Sequence, residues 1–72
     1  MPKKIRELKQ MLRKAGFIQK PGKGSHTNWT HFLYSGRVTV SGKDKTDAKP
    51  YQEKEVIKAI QEVSRKQENE EN

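Results

Sequence analysis

Ser25-His26-Thr27-Asn28-Trp29-Thr30-His31-Phe32, then Leu33-Tyr34-Ser35-Gly36, then Arg37-Val38-Thr39-Val40-Ser41, reads as two strands joined by a short hairpin connection. Thr, Trp and Phe in the first part suit a pleated, half-buried surface, and the last five residues alternate polar with apolar at the strand period. Gly36 is available for the positive φ that a tight connection needs. Upstream, Phe17 to Lys20 forms a shorter strand, ended by Pro21-Gly22-Lys23-Gly24, where a proline and two glycines mark an exposed turn. A helix precedes these strands over residues 3–15. Ile5, Leu8, Met11, Leu12 and Ala15 recur at helical spacing, basic and polar residues occupy the other side, and Gly16 is the stop signal. After a polar loop from Gly42 to Lys49, Pro50 suits the first turn of a second helix. Its apolar stripe is Val56, Ile57, Ile60 and Val63, with Ala59 beside it, and runs to about residue 66.

The order is therefore α-β-β-β-α, an α+β fold. A small three-stranded antiparallel sheet has one face to cover and each helix has one apolar stripe, so both helices are expected on the same face. Residues 1–66 read as one domain, without repeats or linkers, and the acidic tail 67–72 is expected to fray. The expected core is Ile5, Leu8, Met11, Leu12, Phe17, Ile18, Trp29, Val38, Val40, Val56, Ile60 and Val63. In the second strand Thr27, Trp29 and His31 share one face, and His26, Asn28, Thr30 and Phe32 the other. Trp29 belongs under the helices with Val38 and Val40, which places His26 on the open face. Phe32 then points outward too, unless the strand's end redirects it.

Composition narrows the function. Only 29% of the 72 residues are apolar, too few to enclose a deep small-molecule pocket, so no small-molecule cofactor is expected. There is no cysteine, which excludes disulfides and thiolate metal sites and fits a reducing compartment. No apolar run has the length of a membrane span or signal peptide, and a soluble cytoplasmic protein is the expectation. The net charge is +7, but it is unevenly spread. Residues 1–49 hold twelve Lys and Arg against the three acids Glu7, Asp44 and Asp47, whereas residues 50–72 hold four against six. A positive field of this kind attracts polyanions, nucleic acid first, an anionic membrane or acidic protein less so. The plain alternative is a lysine-rich surface that serves solubility.

Pro21-Gly22-Lys23-Gly24-Ser25-His26 sets a histidine beside flexible backbone, a lysine and a hydroxyl. Backbone N–H groups next to glycine can approach a phosphate closely because no Cβ intervenes. The segment is not a nucleotide-binding P-loop, since Lys23 precedes Gly24 instead of following it. His26 and His31, five apart on a strand, face opposite ways and cannot share a metal ion, and His31 reads as a structural residue hydrogen-bonded to backbone. Ser25 lacks an orienting carboxylate for nucleophilic work, and Glu53, Glu55 and Glu62 form an ordinary solvated helix surface. An exposed imidazole in a basic surface is the minimum equipment for cleaving RNA, which carries its own nucleophile in the 2′-hydroxyl. Lys20, Lys23, Gly24, Ser25, Arg37 and Lys43 are the candidate RNA contacts. Lys23, Arg37 and Lys43, in that order, are the candidates for stabilising transition-state charge.

With Gly24-Ser25-His26, a preceding basic helix ending in Ala15-Gly16-Phe17, and the following Val38-Thr39-Val40 strand, the chain resembles the HicA toxin family over about residues 3–63. The resemblance implies a double-stranded-RNA-binding-domain-like fold, messenger-RNA interferase activity, catalysis by His26 and inactivation by a HicB antitoxin. That family commonly continues its third strand into a Pro-x-His segment; here Val40 is followed by Ser41-Gly42-Lys43-Asp44. The leading expectation is a metal-independent endoribonuclease. Its rivals are a catalytically silent RNA-binding module and an interaction protein whose basic surface serves an acidic partner.

Overall fold

The computed structural model describes residues 2–71, with the side chains of 69–71 left aside. Helix α1 spans Ile5–Lys14, strands β1, β2 and β3 span Ile18–Pro21, Thr27–Thr30 and Val38–Val40, and helix α2 spans Pro50–Glu71. The sheet is antiparallel in the order β1-β2-β3. Inward-facing Trp29, Val38 and Val40 pack with Ile5, Leu8, Leu12, Phe17, Val56, Ala59 and Val63, so both helices cover one face. This is the α+β arrangement expected from the sequence.

Each helix begins and ends for a reason readable in its contacts. The last turn of α1 closes as a Schellman motif: Phe17 N–H donates to the Leu12 carbonyl (3.0 Å) and Gly16 N–H to that of Arg13 (3.1 Å). Gly16 takes φ +92° there, a conformation that strains any other residue, and a Cβ on it would also press on the His31 ring, 3.2 Å from Nε2. At the other end no side chain caps α1. The β3–α2 loop does so instead: Ile5 N–H donates to the Thr46 carbonyl (2.9 Å) and Arg6 N–H to that of Asp44 (3.2 Å). Gln52 caps α2 by accepting from Lys49 N–H (2.9 Å), and donates to the Ser41 carbonyl (2.9 Å), fastening the helix start to the end of β3.

The same loop carries the ion pairs. Lys4 pairs with Asp47, and Lys9 with Asp44 at 2.7 Å. The Lys9 hydrogen bond and charge hold the Asp44 carboxyl below its ordinary value. A depressed folded value means that this contribution is complete above the ordinary carboxylate value of 3.8 and is lost as pH falls through the lowered one. Acid titration of Asp44 followed by NMR should therefore show a low midpoint that rises toward the ordinary value in Lys9→Met, with Arg6 and Arg13 still lowering it; identical midpoints in the two proteins would contradict the pairing.

Several expectations are corrected. Ile18, placed in the core, is 60% exposed. Its neighbour Phe17, which closes the end of α1 and precedes β1, is buried, whereas Ile18 opens β1 and pairs with Thr30 on the face opposite Trp29. Ile57 is likewise exposed, lying off the stripe made by Val56, Ala59 and Val63, while Met11 and Ile60 are only partly buried. β2 is shorter than the expected 25–32, because His26 still belongs to the turn before it and His31 to the turn after. α2 continues past residue 66 to Glu71; Asn72, in the tail expected to fray, lies outside the described residues. Among the described residues no helix is long and apolar enough to cross a membrane.

Candidate nucleic-acid interface

The β1–β2 turn is built to present His26. His26 N–H donates to the Lys23 carbonyl (3.0 Å), closing a four-residue turn in which Gly24 takes φ +58°. Gly22 backs directly onto this turn: a Cβ there would sit 2.6 Å from the His26 carbonyl oxygen. Asn28, two residues beyond His26, ties the turn to the sheet. Its Nδ2 donates to the Pro21 carbonyl (3.4 Å), and its Oδ1 accepts from Thr39 Oγ1 (2.9 Å) across the β2–β3 pairing. His26 itself is exposed, as are Lys23, Gly24 and Ser25.

Strand register decides which other residues stand near. Thr27 pairs with Val40, so the chain leaving β3 through Ser41, Gly42 and Lys43 emerges at the same end of the sheet as His26. Lys20 pairs with Asn28 and Asn28 with Thr39, a polar row crossing the open face next to the turn. Arg37 enters β3 at the opposite end. Four residues separate it from Ser41, about 13 Å of extended chain, too far for one phosphate to be held by both Arg37 and the His26 turn. Lys20, Lys23, Gly24, Ser25 and His26 thus share one end of the sheet; Lys43 follows β3 at that same end, in a loop whose Asp44 and Thr46 are bonded to α1, and Arg37 lies at the opposite end.

Electrostatics follow the same division. The two loop acids are engaged, Asp47 by Lys4, the residue before α1, and Asp44 by Lys9 of α1. Lys20, Lys23, Arg37 and Lys43 are exposed and enter neither pair. A basic open surface next to an exposed imidazole is the result.

His31 has a different place. It is 9% exposed, its Nδ1 accepts from Leu33 N–H (3.0 Å), and its ring packs against Phe17 with centroids 5.2 Å apart. This is the structural histidine, bonded to backbone, that strand parity pointed to. Among the described residues no three His, Cys, Asp or Glu side chains gather as a metal site. Sequence reasoning passed over Gly22, Asn28 and Thr39, which bear on the turn only through contacts made across strands. The proline followed by glycine, lysine and glycine was the one local signal that the backbone there must fold tightly.

Gly22 supplies a direct check. Alanine at this position should displace the His26 turn, since an atom cannot sit 2.6 Å from a backbone oxygen without movement. A stability loss of about 1–3 kcal/mol is expected for such overpacking, with the turn's amide resonances shifted in NMR spectra and those of α2 unmoved. Unchanged turn resonances would contradict the packing described.

A family model described as HicA toxin of bacterial toxin-antitoxin matches residues 5–61. No curated protein and no solved structure matches the chain. The matched stretch begins with the first residue of α1, takes in the whole sheet and the His26 turn, and ends inside α2, covering well over half of the 72 residues. The chain belongs to the HicA toxin family of bacterial toxin–antitoxin systems.

Proposed function

We propose that this toxin is a metal-independent endoribonuclease in which His26 is the catalytic residue. The observation that carries the reading is the exposed imidazole on a backbone-pinned turn at the sheet end where Lys23 and Lys43 also emerge. Messenger RNA lies over the open sheet face with its backbone against Lys20 and Lys23. The His26 imidazole takes the proton of a ribose 2′-hydroxyl, and the 2′-oxygen attacks the adjacent phosphorus. The bond from phosphorus to the 5′-oxygen breaks, that oxygen is protonated as it leaves, and a 2′,3′-cyclic phosphate remains on the upstream fragment. Lys23 and Lys43, with backbone N–H groups near Gly24 and Ser25, stabilise the extra negative charge of the transition state. Arg37 holds a phosphate farther along the strand. The protein acts in the cytoplasm, and a HicB-like antitoxin silences it by covering the open face.

Incubating purified protein with single-stranded RNA in the presence of EDTA tests this reading. Fragments with cyclic-phosphate and 5′-hydroxyl ends are expected, and far fewer in the same time from His26→Ala. Intact RNA with folded wild-type protein would remove the nuclease assignment. Retention of that RNA would then favour a silent RNA-binding module, a reading to which the Ser41-Gly42-Lys43-Asp44 sequence after β3, in place of Pro-x-His, lends support.

A further inference from the structure

Phe32 is 86% exposed, more than any other large apolar side chain described. One side of the ring is backed by its chain neighbour. It lies nearly parallel to His31, at 17° with centroids 5.0 Å apart. His31 is in turn fixed by Leu33 N–H, by the Phe17 ring and by the close approach of Gly16. Phe17 continues the series to Tyr34, 5.8 Å away. The phenol of Tyr34 is held above its ordinary value by burial and then by Glu62 and Glu55. Four rings thus run from the flank of α2 to the surface. The outermost presents an open, flat face.

We infer that Phe32 is a stacking platform for an unpaired nucleobase, a binding site for RNA separate from the His26 turn. The inference rests on the RNA reading above and extends it to the far end of the sheet. Phe32 and Arg37 sit in the same β2–β3 loop, so a cation that can take a phosphate accompanies the ring. An RNA strand crossing the open face from His26 would meet both, phosphate on Arg37 and base on Phe32. Sheet-based modules hold single strands in this manner, with an aromatic face for the base and basic side chains for the backbone. The stack on His31 backs one side of the ring and leaves the other open to a base. A protein partner fits the geometry less well. Besides Phe32, Ile18 is the one large exposed apolar residue that the sheet brings to this end, by pairing with Thr30; Tyr51 and Ile57 lie on α2. Two such residues fall short of the roughly 800 Å² that each side of a stable interface buries.

The test uses His26→Ala protein, so that binding is measured without cleavage, and labelled single-stranded oligoadenylate and oligouridylate as probes in fluorescence anisotropy. Adding Phe32→Ala should weaken binding by about 5- to 150-fold, the range for losing one stacked base. Phe32→Trp should retain affinity, and Phe32→Leu should behave as Phe32→Ala because a leucine has no π face. The dependence on salt should stay the same, since every cation that faces a phosphate remains, whereas Arg37→Gln should lower its slope by about 0.7. Equal affinity with and without the ring, in a protein that does bind RNA, overturns this inference and leaves the nuclease reading standing. Full affinity with leucine overturns it as well, as does an effect of Phe32→Ala on antitoxin binding alone, which would make the ring a protein contact. Failure of the His26→Ala protein to hold either strand removes the RNA reading, and this site with it.

Discussion

Substituting His26 by alanine should lower the rate of RNA cleavage by about 10²–10⁴-fold, the usual worth of a positioned general base. The expected stability change is small, within about 0.5 kcal/mol, because the side chain is exposed and its backbone N–H, not its ring, makes the turn's hydrogen bond. That contrast separates a catalytic role from a structural one. RNA binding should persist in the variant, since the cations around the turn are untouched. Two results would defeat the assignment: cleavage at the wild-type rate, or a loss of cleavage matched by loss of the folded state. The companion substitution His31→Ala should do the reverse, because His31 is buried and bonded to backbone. Comparing unfolding midpoints and cleavage rates for the pair places each histidine by its own signature.

Trp29→Ala should cost about 3–5 kcal/mol, the range for removing a buried aromatic side chain. Domains of this size have about 5–15 kcal/mol of stability in total, so the variant is expected to sit near the unfolding threshold. The effect is large because the indole joins burial, a hydrogen bond and a cation–π interaction in one side chain. Trp29 is fully buried between the sheet and both helices. Its Nε1–H donates to Thr27 Oγ1 (3.0 Å), which donates on to the Val40 carbonyl (3.2 Å), so the ring also helps tie β2 to β3. The Arg13 guanidinium lies 5.3 Å from the ring centroid, in reach of a cation–π interaction, and bonds Gln19 of β1. Trp29→Phe keeps much of the volume and should recover a large part of the stability. Chemical denaturation of the three proteins measures this; a Trp29→Ala protein as stable as wild type would contradict the packing.

Both results depend on features that differ in how far the sequence discloses them. Trp29 was legible because β2 alternates and Trp29 is its largest apolar member, so the buried face follows from a period of two. His31 followed from the same alternation. Ile18 did not, because Phe17 and Ile18 are adjacent and equally apolar, and only the closure of α1 through Gly16 selects which one turns inward. The His26 turn was recognisable from its glycines, but its supports were not. Asn28 and Gly22 act through the Thr39 hydroxyl and the His26 carbonyl, partners brought close by pairing. The capping of α1 by Asp44 and Thr46 joins residues some forty positions apart.

The sequence by itself determined the order of elements, the faces of β2 and the excess of positive charge in the first two thirds of the chain, since these depend on periodicity and composition within a few neighbours. Only the tertiary structure decided at which end of the sheet each cation lies. Antiparallel register carries Lys43 to the His26 end of the sheet and Arg37 to the other, and the loop acids are paired with Lys4 and Lys9. The physical reason is that register and loop closure are set by contacts between distant segments, so charges that look equivalent along the chain become unequal in space.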